Sequence, residues 1–98
     1  MTRGNYERLE EEIVKEKAAV LGRAGERLEA ALAEVAALGR ALDAEPDAAR
    51  RAARLAEYAA AHRRATTARQ MLLIQREAIG LRLHRDVDRQ YPEPPRRS

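Results

Sequence analysis

The chain has 98 residues, of which 45% are apolar and 36% are charged, with a formal net charge of +3 and no cysteine. This length holds one small domain at most, and the lack of cysteine excludes disulfides and thiolate metal sites. Alanine supplies 21 of the apolar residues, and Phe and Trp are absent, so a conventional globular core is hard to assemble. The abundance of Ala, Arg, Glu and Leu is typical of long helices and coiled coils.

Targeting and membrane signals are missing from the sequence. The N-terminus lacks the basic-then-apolar order of a signal peptide. No apolar run reaches the about 20 residues that a membrane span requires. We therefore expect a cytoplasmic protein with no membrane partner.

The strongest periodic signal lies in the first half of the chain and predicts a helix over about residues 5–42. Asn5 is a suitable N-cap. Gly22 and Gly25 lower the helix propensity, but the apolar pattern keeps its phase across both, which favours one continuous helix. Apolar residues recur at intervals of seven, as in a coiled-coil seam, at Val14, Leu21, Leu28, Val35 and Leu42.

Residues 43–46 form the clearest turn signal within the chain. Pro46 disfavours a helical conformation for the residue before it and suits the start of a new helix. Helix 2 is predicted over about residues 47–90 and is followed by an extended, proline-rich tail over 91–98. A short loop makes the two helices antiparallel. The predicted fold class is therefore all-α, a single domain over residues 1–98 that forms a long, coiled-coil-like helical hairpin.

The charge is distributed unevenly between the two predicted helices. Residues 1–46 carry 7 basic and 10 acidic groups, a net charge of −3, and residues 47–98 carry 12 and 6, a net charge of +6. We interpret the basic half as the ion-pairing partner of the acidic half. The hairpin is expected to bring Glu10, Glu11, Glu12 and Glu16 towards Arg76, Arg82 and Arg85.

Residues 71–83 are the most apolar stretch, and on a helical wheel their large side chains point in two directions. One face contains Leu72, Ile79 and Leu83 and is expected to pack on helix 1. The opposite face contains Met71, Ile74, Ala78 and Leu81 and is predicted to be an oligomer or partner interface. Because small two-helix folds seldom reach useful stability alone, we expect a homodimer, with two hairpins packed into a four-helix bundle.

Three cations are candidates for a small-anion site at the seam, namely Lys17, Arg69 and Arg76. Arginine suits bidentate recognition of carboxylate or phosphate groups. The competing interpretation is that the two arginines pair with glutamates of helix 1 while their stems are buried.

Other chemistry finds little support in the sequence. His84 and Asp88 lie on one helical face but supply two ligands, whereas a structural zinc site has four. We expect no catalytic residues, cofactor or metal. The arginines near the turn could bind nucleic acid weakly, although aromatic side chains for base stacking are missing; they are Arg50, Arg51, Arg54, Arg63 and Arg64.

The sequence thus favours a structural or protein-interaction module that associates with itself. The alternatives are an anion-binding or enzymatic helical dimer and a weak, non-specific nucleic-acid binder.

Overall fold

The structure, a computed structural model, describes residues 3–98 as two long helices and one short one. Helix α1 spans Arg3–Asp43, α2 spans Ala48–Ala78 and α3 spans Arg85–Gln90. No strand occurs within these residues. The molecule measures 70 × 20 × 15 Å, so it is an elongated rod. The all-α class and the antiparallel hairpin are thereby confirmed, and Met1 and Thr2 lie outside the described residues.

The seam between α1 and α2 contains part of the predicted heptad pattern. Leu28, Val35 and Leu42 are fully or almost fully buried. Val35 and Leu42 form one cluster with alanines of α2 and Tyr58, and Leu28 belongs to a second cluster with Leu72. Helix α1 continues without a break across Gly22 and Gly25, as predicted.

The N-terminal part of the heptad pattern is not covered. Val14 is 65% exposed, and every residue from 4 to 19 is exposed. The apolar period therefore identified a helix correctly, but only the part of α1 after residue 19 packs within this chain.

The turn between α1 and α2 is fixed by local carboxylates. Asp47 is the N-cap of α2, and its side chain accepts a hydrogen bond of 2.9 Å from the backbone N–H of Arg50. Glu45 is buried and accepts a 3.0 Å bond from Nε of Arg54. The Asp47 contact satisfies one of the N–H donors in the first turn of α2 that have no intrahelical partner, and the Glu45 contact is an ion pair that joins the turn to α2.

Helix 2 ends twelve residues earlier than predicted, at Ala78 instead of about 90. Gly80 has φ = 93°, in the left-handed region that favours glycine. The Gly80 N–H donates to the Glu77 carbonyl (3.0 Å), and the Leu81 N–H donates to the Arg76 carbonyl (2.9 Å). This is a Schellman cap, so the prediction of one helix to residue 90 was wrong because glycine ends the helix here.

The chain then folds back along the hairpin. Val87 of α3 is buried with Leu72 and Leu28. The residues after α3 continue along α2 towards the turn, where the Tyr58 hydroxyl donates to the Pro95 carbonyl (2.6 Å) and His62 Nε2 contacts the Pro94 carbonyl (2.9 Å). The predicted tail is therefore non-helical, as expected, but it is packed against the hairpin.

The cap at Gly80 can be tested by substitution with alanine. Gly80→Ala should lower the free energy of unfolding by about 1–2 kcal/mol, because a Cβ is strained in the left-handed conformation. Gly22→Ala is the matched control: no atom lies within 4 Å of the added Cβ, so it should stabilise α1 by up to about 1 kcal/mol. Urea unfolding followed by circular dichroism measures both. Equal effects of the two substitutions would contradict the cap.

Candidate interaction surface

The N-terminal part of α1, residues 3–18, forms an exposed helix that we call the rod. It carries a stripe of large apolar side chains at helical spacing, Tyr6, Leu9 and Ile13, with Val14 beside it. The stripe continues the buried face that α1 presents to α2 further along. The rod therefore presents to solvent the same type of surface that the rest of α1 buries.

The second uncovered surface is the predicted interface of helix 2, which we call the outer face. It consists of Met71, Ile74, Ala78 and Leu81, all of which are exposed. Ile74 is 52% exposed, whereas Leu72 on the opposite side of the helix is only 4% exposed. The two directions of the apolar side chains are thus real, and this chain covers one of them.

Leu83 departs from its expected position. It was expected to pack on helix 1 with Leu72 and Ile79, but it is 78% exposed, and Ile79 is half-buried. The cause is the cap at Gly80. Residues 81–84 are not helical, so a helical wheel does not give the direction of the Leu83 side chain. Leu83 instead adds to the apolar surface at this end of the molecule.

Arg76 anchors the reversal of the chain. Its Nε donates to Nδ1 of His84 (3.2 Å), and its Nη2 contacts the Leu83 carbonyl and Asp86 Oδ1, each at 3.0 Å. The side chain is only 12% exposed. His84 Nε2 in turn contacts Glu77 Oε1 at 3.1 Å. Because Nδ1 accepts from Arg76, the ring proton of a neutral His84 lies on Nε2, where it can be donated to Glu77.

The three candidate anion ligands occupy different surroundings. Arg69 pairs with Asp88, and its Nε is buried without a hydrogen-bond partner among the described residues. Arg76 holds the reversal, and Lys17 lies on the exposed rod. The arginines thus have carboxylate partners, but these come from the segment after α2 and not from helix 1 as the competing interpretation proposed.

The expected ion pairs between the N-terminal acids and the C-terminal arginines do not form within the chain. Arg76 pairs with Asp86. Glu16 pairs with Arg23 of its own helix, with 3.7 Å between Glu16 Oε1 and Arg23 Nη2. Within residues 3–98, Arg82 and Arg85 have no ion-pair or hydrogen-bond partner through their side chains. The early end of α2 explains this difference, because the arginines no longer lie on a helix that runs beside the rod.

A basic groove lies at the other end of the molecule, between α2 and the tail. It encloses about 500 Å³ and is lined by Arg63, Arg96 and Arg97 together with Thr66 and Thr67. Arg97 pairs with Asp43 and lies 5.5 Å above the centre of the Tyr58 ring. The hydrogen bond to the Asp43 carboxylate raises the pKa of Arg97. The groove therefore has at least one of its charges already neutralised.

Tyr91 joins the start of the tail to α1. Its hydroxyl donates to Glu29 Oε1 at 2.9 Å, and this hydrogen bond is the main cause of a raised pKa for Tyr91. Sequence reasoning missed this contact and those of Tyr58 and His62. The available signal was chemical, since buried tyrosine hydroxyls usually find a hydrogen-bond partner.

No protein-family model, curated protein or solved structure matches this chain. In residues 3–98, no helix has the length and apolar character that crossing a membrane requires. The same residues contain no group of three or more His, Cys, Asp or Glu side chains that could hold a metal ion. His84 and Asp88, the pair considered for a metal, instead contact Arg76 and Arg69.

Replacing Arg76 with Met tests its role as an anchor. Arg76→Met should lower the free energy of unfolding by about 1–3 kcal/mol, because Asp86, His84 and the Leu83 carbonyl lose a charged donor. Arg63→Met is the control, since Arg63 is exposed and should change stability by less than about 0.5 kcal/mol. Thermal or urea unfolding of both variants provides the measurement. A stability for Arg76→Met equal to that of the control would show that the anchor does not hold the reversal.

Proposed function

We propose that this protein is a structural or protein-interaction module that acts by associating with itself. The proposal is supported by one observation above all. Among the side chains of residues 4–98, eight large apolar ones are exposed, and they all lie in the rod or between residues 71 and 83. They are Tyr6, Leu9, Ile13, Val14, Met71, Ile74, Leu81 and Leu83.

The position of these side chains matters more than their number. The antiparallel hairpin places the start of α1 and the end of α2 at the same end of the molecule, which we call the open end. Single exposed apolar residues are ordinary on a protein surface, but a contiguous patch usually marks an interaction site. The open end combines two such surfaces on neighbouring helices.

The size of the intramolecular core also favours association. The buried residues of the seam include Ala24, Ala61 and Ala65, which remove little apolar area from water. A standard interface of about 1,600 Å² would add substantially to such a core. We therefore propose a homodimer in which a second copy covers the outer face, so that helices from two hairpins form a bundle.

The outer face can be tested by placing a charge in its centre. If a second copy covers Ile74, then Ile74→Glu should weaken the dimer by about 2 kcal/mol, or roughly 30-fold in Kd, because a carboxylate would be desolvated there. Ala56→Glu is the matched control, because Ala56 is exposed on the same helix but nearer to the turn. Sedimentation velocity over a concentration series measures the Kd of each variant.

Circular dichroism should show the same helix content for both variants, because neither position is buried within one chain. An Ile74→Glu protein with the wild-type oligomeric state and unchanged stability would refute the proposed interface. Loss of association in the Ala56→Glu control as well would show that the effect is not specific to the outer face.

A further inference from the structure

We propose that the rod of each chain docks on the open end of a second copy, with its apolar stripe on the partner's outer face and its acids opposite the partner's arginines. This inference rests on the proposed self-association and specifies its geometry. The interacting parts are the rod on one side and, on the other, the outer face with Arg82 and Arg85. Each copy has one of each, so a two-fold dimer forms both contacts at once.

The rod lacks the packing that supports the rest of α1. Its residues 4–18 are all exposed, so no tertiary packing supports them. In proteins, helical stability comes mainly from the packing of an apolar face, and the rod continues the packed part of α1 without such packing of its own. A rod bearing Tyr6, Leu9 and Ile13 on one stripe has such a face but nothing from its own chain against it.

The rod cannot reach the outer face of its own chain. Arg64 pairs with Glu34, and the Tyr58 ring lies against Gly39, which together set the register of the hairpin. In this register, the last residue of α2 lies level with about residue 19 of α1. The rod of about 16 residues therefore projects roughly 24 Å beyond α2, away from the outer face. Only another molecule can bring a rod to that face.

The charges of the two surfaces are complementary. Glu10 and Glu12 flank the apolar stripe of the rod at helical spacing, while Glu11 lies on its back. Within residues 3–98, neither Glu10 nor Glu12 contacts a basic side chain. At the open end, Arg82 and Arg85 are likewise exposed and without an acidic partner in the described part of the chain.

An antiparallel arrangement of two rods satisfies all of these requirements together. When the two-fold axis passes beside α1 close to residues 13–17, the tip of each rod lies along the end of the partner's α2. Tyr6 then approaches the outer face near the partner's Ile74, and Ile13 approaches the partner's Leu81. The flanking acids of the rod come beside the partner's Arg82 and Arg85.

A charge-swap experiment tests this geometry. The first variant, E10R/E12R, places arginines opposite arginines in its own dimer, and the second, R82E/R85E, places glutamates opposite glutamates. Each should dimerise at least about tenfold more weakly than the wild type, because like charges face each other at both contacts. An equimolar mixture should regain dimers, since both contacts of the mixed dimer then join opposite charges. Sedimentation velocity measures the association in each case.

The matched control is E11R/E57R, which changes the net charge as much as E10R/E12R. Glu11 lies on the back of the rod, and Glu57 is exposed on α2 away from the open end. This control should dimerise like the wild type. Circular dichroism on every variant confirms that the helices are retained.

The possible failures are distinguishable. A wild-type protein that stays a monomer at high micromolar concentration would overturn both the self-association and the docking. A wild-type dimer that is unaffected by E10R/E12R or R82E/R85E would overturn the docking and leave the self-association standing. Two monomeric variants that do not associate when mixed would also overturn it, because the mixed dimer restores both charge pairs.

Discussion

The difference in length between the two long helices determines most of this structure. Helix α1 has 41 residues and α2 has 31, although both lie in one antiparallel hairpin. The difference arises at Gly80, whose left-handed conformation caps α2, and Arg76 holds the residues that follow in a reversed direction. The rod is consequently left without a neighbour, and the remaining residues return along the hairpin.

The returning segment supplements a core that is poor in large side chains. Tyr58 fills space beside Gly39, where an added Cβ would approach its ring to 3.3 Å, and its hydroxyl holds the tail at Pro95. Tyr91 makes the corresponding link at the start of the tail through Glu29. Two of the three tyrosines thus attach the tail to the hairpin, and the third, Tyr6, lies on the rod. The tail is thus attached along the packed part of the hairpin, whereas the rod has no such contact.

Local patterns predicted a large part of the fold. The heptad spacing predicted α1 and the burial of Leu28, Val35 and Leu42, because apolar residues at this spacing lie on one face of a helix and that face packs against a neighbour. Pro46 located the turn. The two apolar faces of residues 71–83 were also predicted, and the exposure of Ile74 agrees with that prediction.

The remaining features depend on contacts that periodicity does not encode. A glycine within a helical pattern can be tolerated or can cap the helix, and the hydrogen bonds around Gly80 decide between these outcomes. The tail is held largely through the backbone carbonyls of Pro94 and Pro95, which carry no sequence signal. The ion pairs of Arg69 and Arg76 could not be assigned because they depend on the reversal. A helix 2 that ran to residue 90 would place Arg82 beside the acids of its own rod, whereas the reversal leaves it without an acidic partner in the described part of the chain.

We propose that a second copy of the chain covers the rod. Hydrogen exchange of the backbone amides in residues 3–18, measured over a range of protein concentrations, tests this proposal. Protection should rise with concentration in step with the fraction of dimer, while the amides around Leu28 and Val35 stay protected throughout. Rod amides that exchange at unfolded-chain rates at every concentration, or that are equally protected in a monomer of 11.0 kDa, would contradict the claim.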